Sequence, residues 1–198
     1  MGICCGAQAV SDDVIDQLLA NPPLIWRLLA PDDADTYWQA TGQNQKPGLL
    51  AKLFGAKPAT EQPSLPPPLP LPEPAVTDMD LDKSWDGINF CLKKIVGDKM
   101  PNFFEGGTPV GKIEIGYGPA IAWTSRDLAG FADAVALVTA EDILAQYDPV
   151  AMKQVYLGDA WARNTEDMKE YLTENFLSLK SFLQTCGARG LGCLVSFS

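Results

Sequence analysis

Strand-like sequence stands at the two ends of this chain of 198 residues and almost nowhere else. Ile3 to Val10 is a run of small and apolar residues, and Leu191 to Phe197 alternates in the manner of a final strand. A strand of this length is not stable without a partner. The first strand therefore calls for the last one, and that pairing closes the chain into one unit, residues 1–198. Between the ends the apolar spacing is mostly helical. The expected fold is α+β: a single domain with a small sheet that includes both terminal strands, packed against several helices on one face. No internal repeat is visible.

Ser11 caps a helix predicted to run to about Leu19, with Asp12 and Asp13 in its first turn and Val14, Ile15, Leu18 and Leu19 on one face. Pro22-Pro23 stops it, and Leu24–Ala30 forms a second apolar segment. Leu49, Leu50, Leu53 and Phe54 read as a small amphipathic helix closed by Gly55. Residues 57–76 read as a Pro-rich exposed loop within the domain, because prolines lack backbone donors and favour extended polyproline II. A P-x-x-P ligand is the functional reading of that run, and a semi-rigid loop is the plainer one. Asp82–Val96 has helical spacing at Trp85, Ile88, Leu92 and Ile95. Residues 98–118 form a punctuated loop with a short strand expected at Lys112–Ile115. Ala120–Trp123 is a short strand, followed by a helix through Val138 capped at Thr124 or Ser125. Thr139 and Asp142 make a capping box, and Asp148-Pro149 opens a short helix. The longest helix starts at Thr165 and is expected to stop with Gly187 past its end.

Histidine is absent, and 25 acidic residues against 15 basic ones leave a formal charge of −10. Without imidazole the chain has no Ser-His or Cys-His pair and no histidine metal ligand. The negative surface favours cationic partners and disfavours nucleic acid and anionic membranes. The five cysteines, Cys4, Cys5, Cys91, Cys186 and Cys193, form no C-x-x-C and fit no zinc spacing, so they read as core thiols in a reducing compartment. No apolar run is long enough to span a bilayer, and Met1–Gly6 lacks the basic and apolar parts of a secretory signal. A cytoplasmic location is the expectation. Gly6 stands where a myristoylation motif needs Ser or Thr.

The glycines at 106, 107, 111, 116 and 118 match no phosphate loop, and no nucleophile elbow is present. The carboxylates Asp80, Asp82 and Asp86 are the sharpest cluster. On a helix Asp82 and Asp86 would share a face and could bind a divalent cation or divide acid and base roles. The plainer reading makes Asp80 or Asp82 the helix cap. No cofactor and no catalytic set is expected.

Three stretches carry a resemblance. They are Asp80-Leu81-Asp82-Lys83-Ser84-Trp85-Asp86-Gly87-Ile88-Asn89-Phe90-Cys91-Leu92, the turn Tyr117-Gly118-Pro119-Ala120, and Met152 to Trp161 before the long helix. Together with the Met-Gly start and the last strand, they resemble the YfbM-like family, a bacterial family described as a domain of unknown function. The first stretch is similar to that family's D-L-D-K-x-W-x-x-x-H-x-L signature. Where the family often carries histidine after the tryptophan, this chain has Asp86 and Asn89. The resemblance implies a shared fold and carries no reaction with it.

Two classes of function follow. The first is a non-catalytic acidic binding protein, an immunity-type inhibitor covering a basic toxin domain such as a nuclease effector and occluding its active site. The acidic-aromatic segment Asp32, Asp33, Asp35, Tyr37 and Trp38 is its expected contact surface, with charge steering encounter and aromatic rings supplying burial, and a local core contact is the plainer reading of Tyr37 and Trp38. The second is a carboxylate-dependent metal hydrolase or small-ligand-binding domain using Asp80, Asp82 and Asp86.

Overall fold

The two terminal strands are neighbours at the centre of the sheet. β1 (Cys5–Val10) runs antiparallel to β5 (Gly192–Phe197), from Cys5 opposite Phe197 to Val10 opposite Gly192. Cys4 and Ser198 extend the ladder, each donating its N–H to the other's carbonyl at 2.8 and 3.0 Å. The structure, a computed structural model, describes residues 2–42, 64–76, 78–97 and 101–198. The helix expected over Leu49–Phe54 and the first part of the Pro-rich loop lie outside the described residues.

β2 (Met79–Asp80) pairs with the free side of β1, β4 (Ile121–Trp123) with the free side of β5, and β3 (Thr108–Pro109) with β4. The order is β2-β1-β5-β4-β3, antiparallel throughout. The strand expected at Lys112–Ile115 does not form. The ladder position beside β4 is taken by Thr108–Pro109, and Val110 N–H donates to Ala120 at 2.8 Å. Ile113 and Ile115 instead pack against the core from a loop. Both sheet edges are two-residue strands, and one of them contains Pro109, which leaves little edge for a foreign strand to pair with.

Seven α-helices are described: α1 (Asp12–Ala20), α2 (Ile25–Leu29), α3 (Ala34–Ala40), α4 (Trp85–Val96), α5 (Ser125–Ala136), α6 (Ala140–Ala145) and α7 (Thr165–Arg189). They cover both faces of the sheet rather than one, because the central strands are apolar on both sides. Cys5, Ala7, Ala9, Cys193 and Val195 face the larger core with Ile88, Phe131, Trp161, Phe176 and Leu183. Val10, Ala122 and Leu194 face a smaller core with Val14, Ile15, Leu18 and Ile25 of α1 and α2.

Local chemistry sets the helix ends. Ser11 accepts from Val14 N–H at 3.4 Å, Thr124 from Asp127 N–H at 3.2 Å, and Thr139 with Asp142 closes the expected capping box. Asp12, in the first turn of α1, also reaches the start of α5, where its two carboxylate oxygens accept from Ser125 N–H at 2.7 Å and Ser125 Oγ at 2.6 Å. One carboxylate thus ties together helices on opposite faces. α7 continues past the expected stop at Gly187 to Arg189, and Gly190 at φ 59° takes the left-handed cap instead.

The described part of the Pro-rich loop is a strap laid over the smaller core. Arg27 of α2, 3% exposed, donates from Nε to Pro66 O at 2.8 Å and from Nη1 to Pro31 O. Its own carbonyl accepts from Leu69 N–H at 3.1 Å, and the Leu69 side chain packs on the smaller core. Further on, Arg189 donates to Pro74 O at 2.6 Å.

α4 approaches Trp161 through Gly87. A Cβ there would stand 2.4 Å from Trp161 Cζ2 and 2.5 Å from Cη2, and Trp161 is fully buried, so its ring has nowhere to retreat. Alanine is the better helix former by about 1 kcal/mol, but overpacking a core of this kind costs about 1–3 kcal/mol. The expected outcome for Gly87→Ala is net destabilisation, read as a lower urea midpoint with an unchanged slope.

Candidate functional site

The Asp80–Trp85 run does not begin a helix as expected. Ser84 N–H and Oγ both turn back to Leu81 O, at 3.0 and 2.8 Å, and α4 starts only at Trp85. Asp82 lies in the intervening turn at φ 45°, a left-handed backbone that aspartate tolerates better than most residues. Asp80 supports it by accepting from Asp82 N–H at 2.8 Å.

With Asp82 off the helix, its spacing to Asp86 no longer stacks the two carboxylates. Asp82 Oδ1 accepts from the Cys4 thiol at 3.2 Å and Oδ2 from Tyr171 OH at 2.9 Å, with Lys83 Nζ 3.9 Å away. Asp86 Oδ2 accepts from Tyr156 N–H at 2.8 Å. The three carboxylates of the expected cation site are thus each directed to a different donor of the chain. Among the described residues no group of three or more Cys, Asp or Glu side chains is arranged to hold a metal ion.

What these residues do is clasp the first residues of the chain. Tyr171 OH accepts from Lys83 N–H at 3.0 Å while donating to Asp82. Asp82 O accepts from Cys5 N–H at 2.9 Å. Trp85 Nε1 donates to Ile3 O at 3.1 Å, and Tyr156 OH receives Ile3 N–H. The half-buried Trp85 ring meets Tyr156 (5.8 Å between centroids, stacked), Phe197 (5.0 Å, edge-on) and Phe104 (5.8 Å). Phe197 O in turn accepts from Tyr117 N–H at 2.8 Å. The three stretches named from the sequence therefore meet at one end of the sheet.

The electrostatics of the clasp suit holding rather than reacting. The hydrogen bond from Cys4 holds the Asp82 carboxyl below its ordinary value, with Tyr171 and Lys83 adding to the effect. The same hydrogen bond, joined by slight desolvation and the Asp82 charge, pushes the Cys4 thiol up. Burial first, and the bond to Asp82 second, push Tyr171 up. A thiol with a raised pKa donating to a carboxylate is not a thiolate nucleophile at neutral pH. Burial raises Cys91 to about 12 and Cys186 to about 11, which makes both inert core thiols.

At the other expected surface, Asp33 caps α3, accepting from Thr36 N–H at 3.1 Å and Thr36 Oγ1 at 2.6 Å. The hydroxyl bond, then the backbone bond, holds its carboxyl below the ordinary value. Asp32 and Asp35 are exposed. Tyr37 is 5% exposed, so its ring belongs to the interior and is not the interface anchor expected of it. Trp38 is half-buried with its ring 5.0 Å from that of Tyr37. The aromatic part of the segment is thus largely a packing element.

A second acidic surface, outside the residues singled out from the sequence, lies along α7. α6 and α7 border a groove of about 530 Å³ lined by Leu144, Glu166, Asp167, Lys169, Glu170 and Glu174, among others. Lys169 is paired with Glu166 at 2.9 Å. Glu166, Glu170 and Glu174 recur every fourth residue, a stripe readable from the sequence. The apolar positions of α7, which define the core, are the stronger signal in the same stretch.

An α+β domain with its two terminal strands at the centre of a five-stranded antiparallel sheet is the class that this architecture defines. The chain belongs to the family described as a domain of unknown function (DUF1877), whose model matches residues 1–196. The crystal structure of YfbM from Escherichia coli, described as a protein of unknown function, is similar over 99% of each chain at 15% identity, with a TM-score of 0.50. That likeness concerns the fold. No curated protein matches the chain. Among the described residues, no helix is long and apolar enough to cross a membrane.

The clasp has two measurable consequences. The folded pKa of Asp82 lies below its unfolded value of about 3.9. The clasp therefore contributes stability above that value and loses it as pH falls through the folded pKa. Asp82→Asn keeps a residue that accepts the left-handed backbone but removes the charge, so the acid-side loss should shrink. The same variant should raise the rate of Cys4 alkylation by iodoacetamide at pH 8 several-fold. Native-state labelling reports Cys4 alone, because Cys5, Cys91, Cys186 and Cys193 are buried.

Proposed function

We propose that the chain is a non-catalytic acidic binding protein of the immunity type, which covers a basic toxin domain, such as a nuclease effector, and occludes its active site. The observation that carries this reading is the carboxylate stripe along α7. Glu166 and Asp167 sit in the first turn, where acids favour the positive end of the helix. Glu170 and Glu174 lie beyond that turn and gain little from the dipole. Both are exposed, beside Leu144 at 36% exposure and Leu177 at 48%. Carboxylates around exposed leucines form a surface that a cationic, partly apolar partner would cover, and the charge would speed encounter. Asp32, Asp33 and Asp35 would add a second negative patch through their carboxylates.

Co-expression with the product of the neighbouring gene tests the reading. That product should be toxic alone, and this chain should rescue growth and co-purify with it at one-to-one stoichiometry. The association rate should fall steeply with salt, and Glu170→Lys/Glu174→Lys should lower it about tenfold at low ionic strength. Asp32→Lys/Asp35→Lys should lower it less. A neighbouring product that is harmless, or that this chain neither binds nor neutralises, ends the immunity reading.

A further inference from the structure

The strap over the smaller core has a periodicity that tethering does not explain. From Pro66 onward, Pro66, Leu69 and Pro72 are half-buried, whereas Pro67, Pro68, Pro70 and Leu71 are exposed, Leu71 at 49%; Leu65, just before the run, is half-buried as well. One inward residue in three matches the threefold turn of polyproline II, which a run with prolines at 66, 67, 68, 70 and 72 favours. The inward edge is fastened by the chain itself, through Arg27 to Pro66 O, Leu69 N–H to Arg27 O, and Leu69 on the smaller core.

The exposed ridge consists of two apolar pairs, Pro67-Pro68 and Pro70-Leu71, offset by one turn, and the second pair also borders an open groove against Ser11, Arg189 and Leu191. A tether needs only the inward positions, and its outward ones would be free to be polar. No charged residue occurs from Ser64 to Pro72, although the chain as a whole carries a charge of −10. A polyproline II helix has three faces. A groove of aromatic rings grips two of them through successive dipeptides of this kind, and here the third is already attached to the protein. The conformational entropy lost on binding would be small because the segment is held in place beforehand.

We propose that residues 67–71 are a pre-formed polyproline II ligand for a partner protein domain with an aromatic-lined groove. The partner's rings would seat Pro67-Pro68 and Pro70-Leu71. The exposed Glu73, just beyond the ridge, lies in the groove that also holds Arg189, so the chain itself supplies a basic neighbour at that end.

The test titrates the full chain into three purified, isotope-labelled probes, an SH3 domain, a WW domain and an EVH1 domain, and follows the groove tryptophan indole signals. Saturable shifts confined to the groove of at least one probe are expected. Pro67→Ser/Pro70→Ser should weaken that binding about tenfold while lowering the urea midpoint of the chain only slightly, through the added freedom of the unfolded chain, since both residues are exposed. Leu71→Asp provides a second outward variant with the prolines intact and should also weaken binding. Leu69→Ser, on the inward edge, should lower the urea midpoint. The proposal is overturned if no probe shifts, if the shifts survive both outward variants, or if sedimentation shows the ridge covered by a second copy of the chain.

Discussion

Everything in this fold hangs on the pairing of the first strand with the last. β1 and β5 are the central pair of the sheet, and β2 and β4 have no other strand to attach to on that side. The same two strands also floor both cores. Ala7 and Val195 look one way, into the layer of α4, α5 and α7, while Val10 and Leu194 look the other, towards α1 and α2. Neither core can form fully before the ends meet. Loop-closure entropy grows only slowly with length, so bringing the ends together is thermodynamically tolerable. It is kinetically demanding, because the central pairing has the largest sequence separation available to the chain.

An end-to-end pairing invites fraying, and the clasp around Asp82 stands where fraying would start. Cys4 and Ser198 form the outermost rung of the ladder. Asp82 holds Cys4 by its thiol and Cys5 by its amide, and Trp85 holds Ile3 by its carbonyl while its ring lies against Phe197. A half-buried thiol, phenol and indole each find a partner there, as most polar groups taken from water do. The signature-like run Asp80–Trp85 thus has a physical reason independent of catalysis. It provides the left-handed turn, the carboxylate and the aromatic ring that secure both chain ends at once.

The parts of the fold legible in the sequence were those with local causes. The pattern of Ser11 before Asp12-Asp13, the Thr139–Asp142 capping box and the apolar spacing of Ile88 and Leu92 act within one or two turns, and each sits where expected. The terminal pairing was legible by a different route, since strands must find partners and few were on offer. What could not be read depended on distant groups. Asp82 leaves the helix because Cys4, Cys5 and Tyr171 hold it, and two of those lie 78 and 89 residues away. Lys112–Ile115 has the look of a strand, but Thr108–Pro109 takes the ladder position. Tyr37 beside three aspartates suggested an interface, yet its ring is interior, and nothing in the pentad distinguishes these outcomes.

The placement of the basic residues sharpens the meaning of the net charge. Arg27, Lys180 and Arg189 donate to the backbone carbonyls of Pro66, Val138 and Pro74, and Lys83, Lys153 and Lys169 each lie within 4.0 Å of a carboxylate. Lys94 sits over the Phe90 ring at 4.2 Å. Backbone bonds, from Thr139 and from Ala151, hold Asp142 and Asp148 below their ordinary values, and the charges of Lys180 and Lys94 add to that effect, so these cations temper the acidic surface while holding the structure together. Carboxylates, by contrast, have both kinds of employment. Asp12, Asp33 and Asp142 terminate helices, whereas Glu170 and Glu174 lie on an open groove and end no helix. Exposed like charges raise the free energy of the compact state through self-repulsion. Under the proposed function, a cationic partner would lower this free energy on contact.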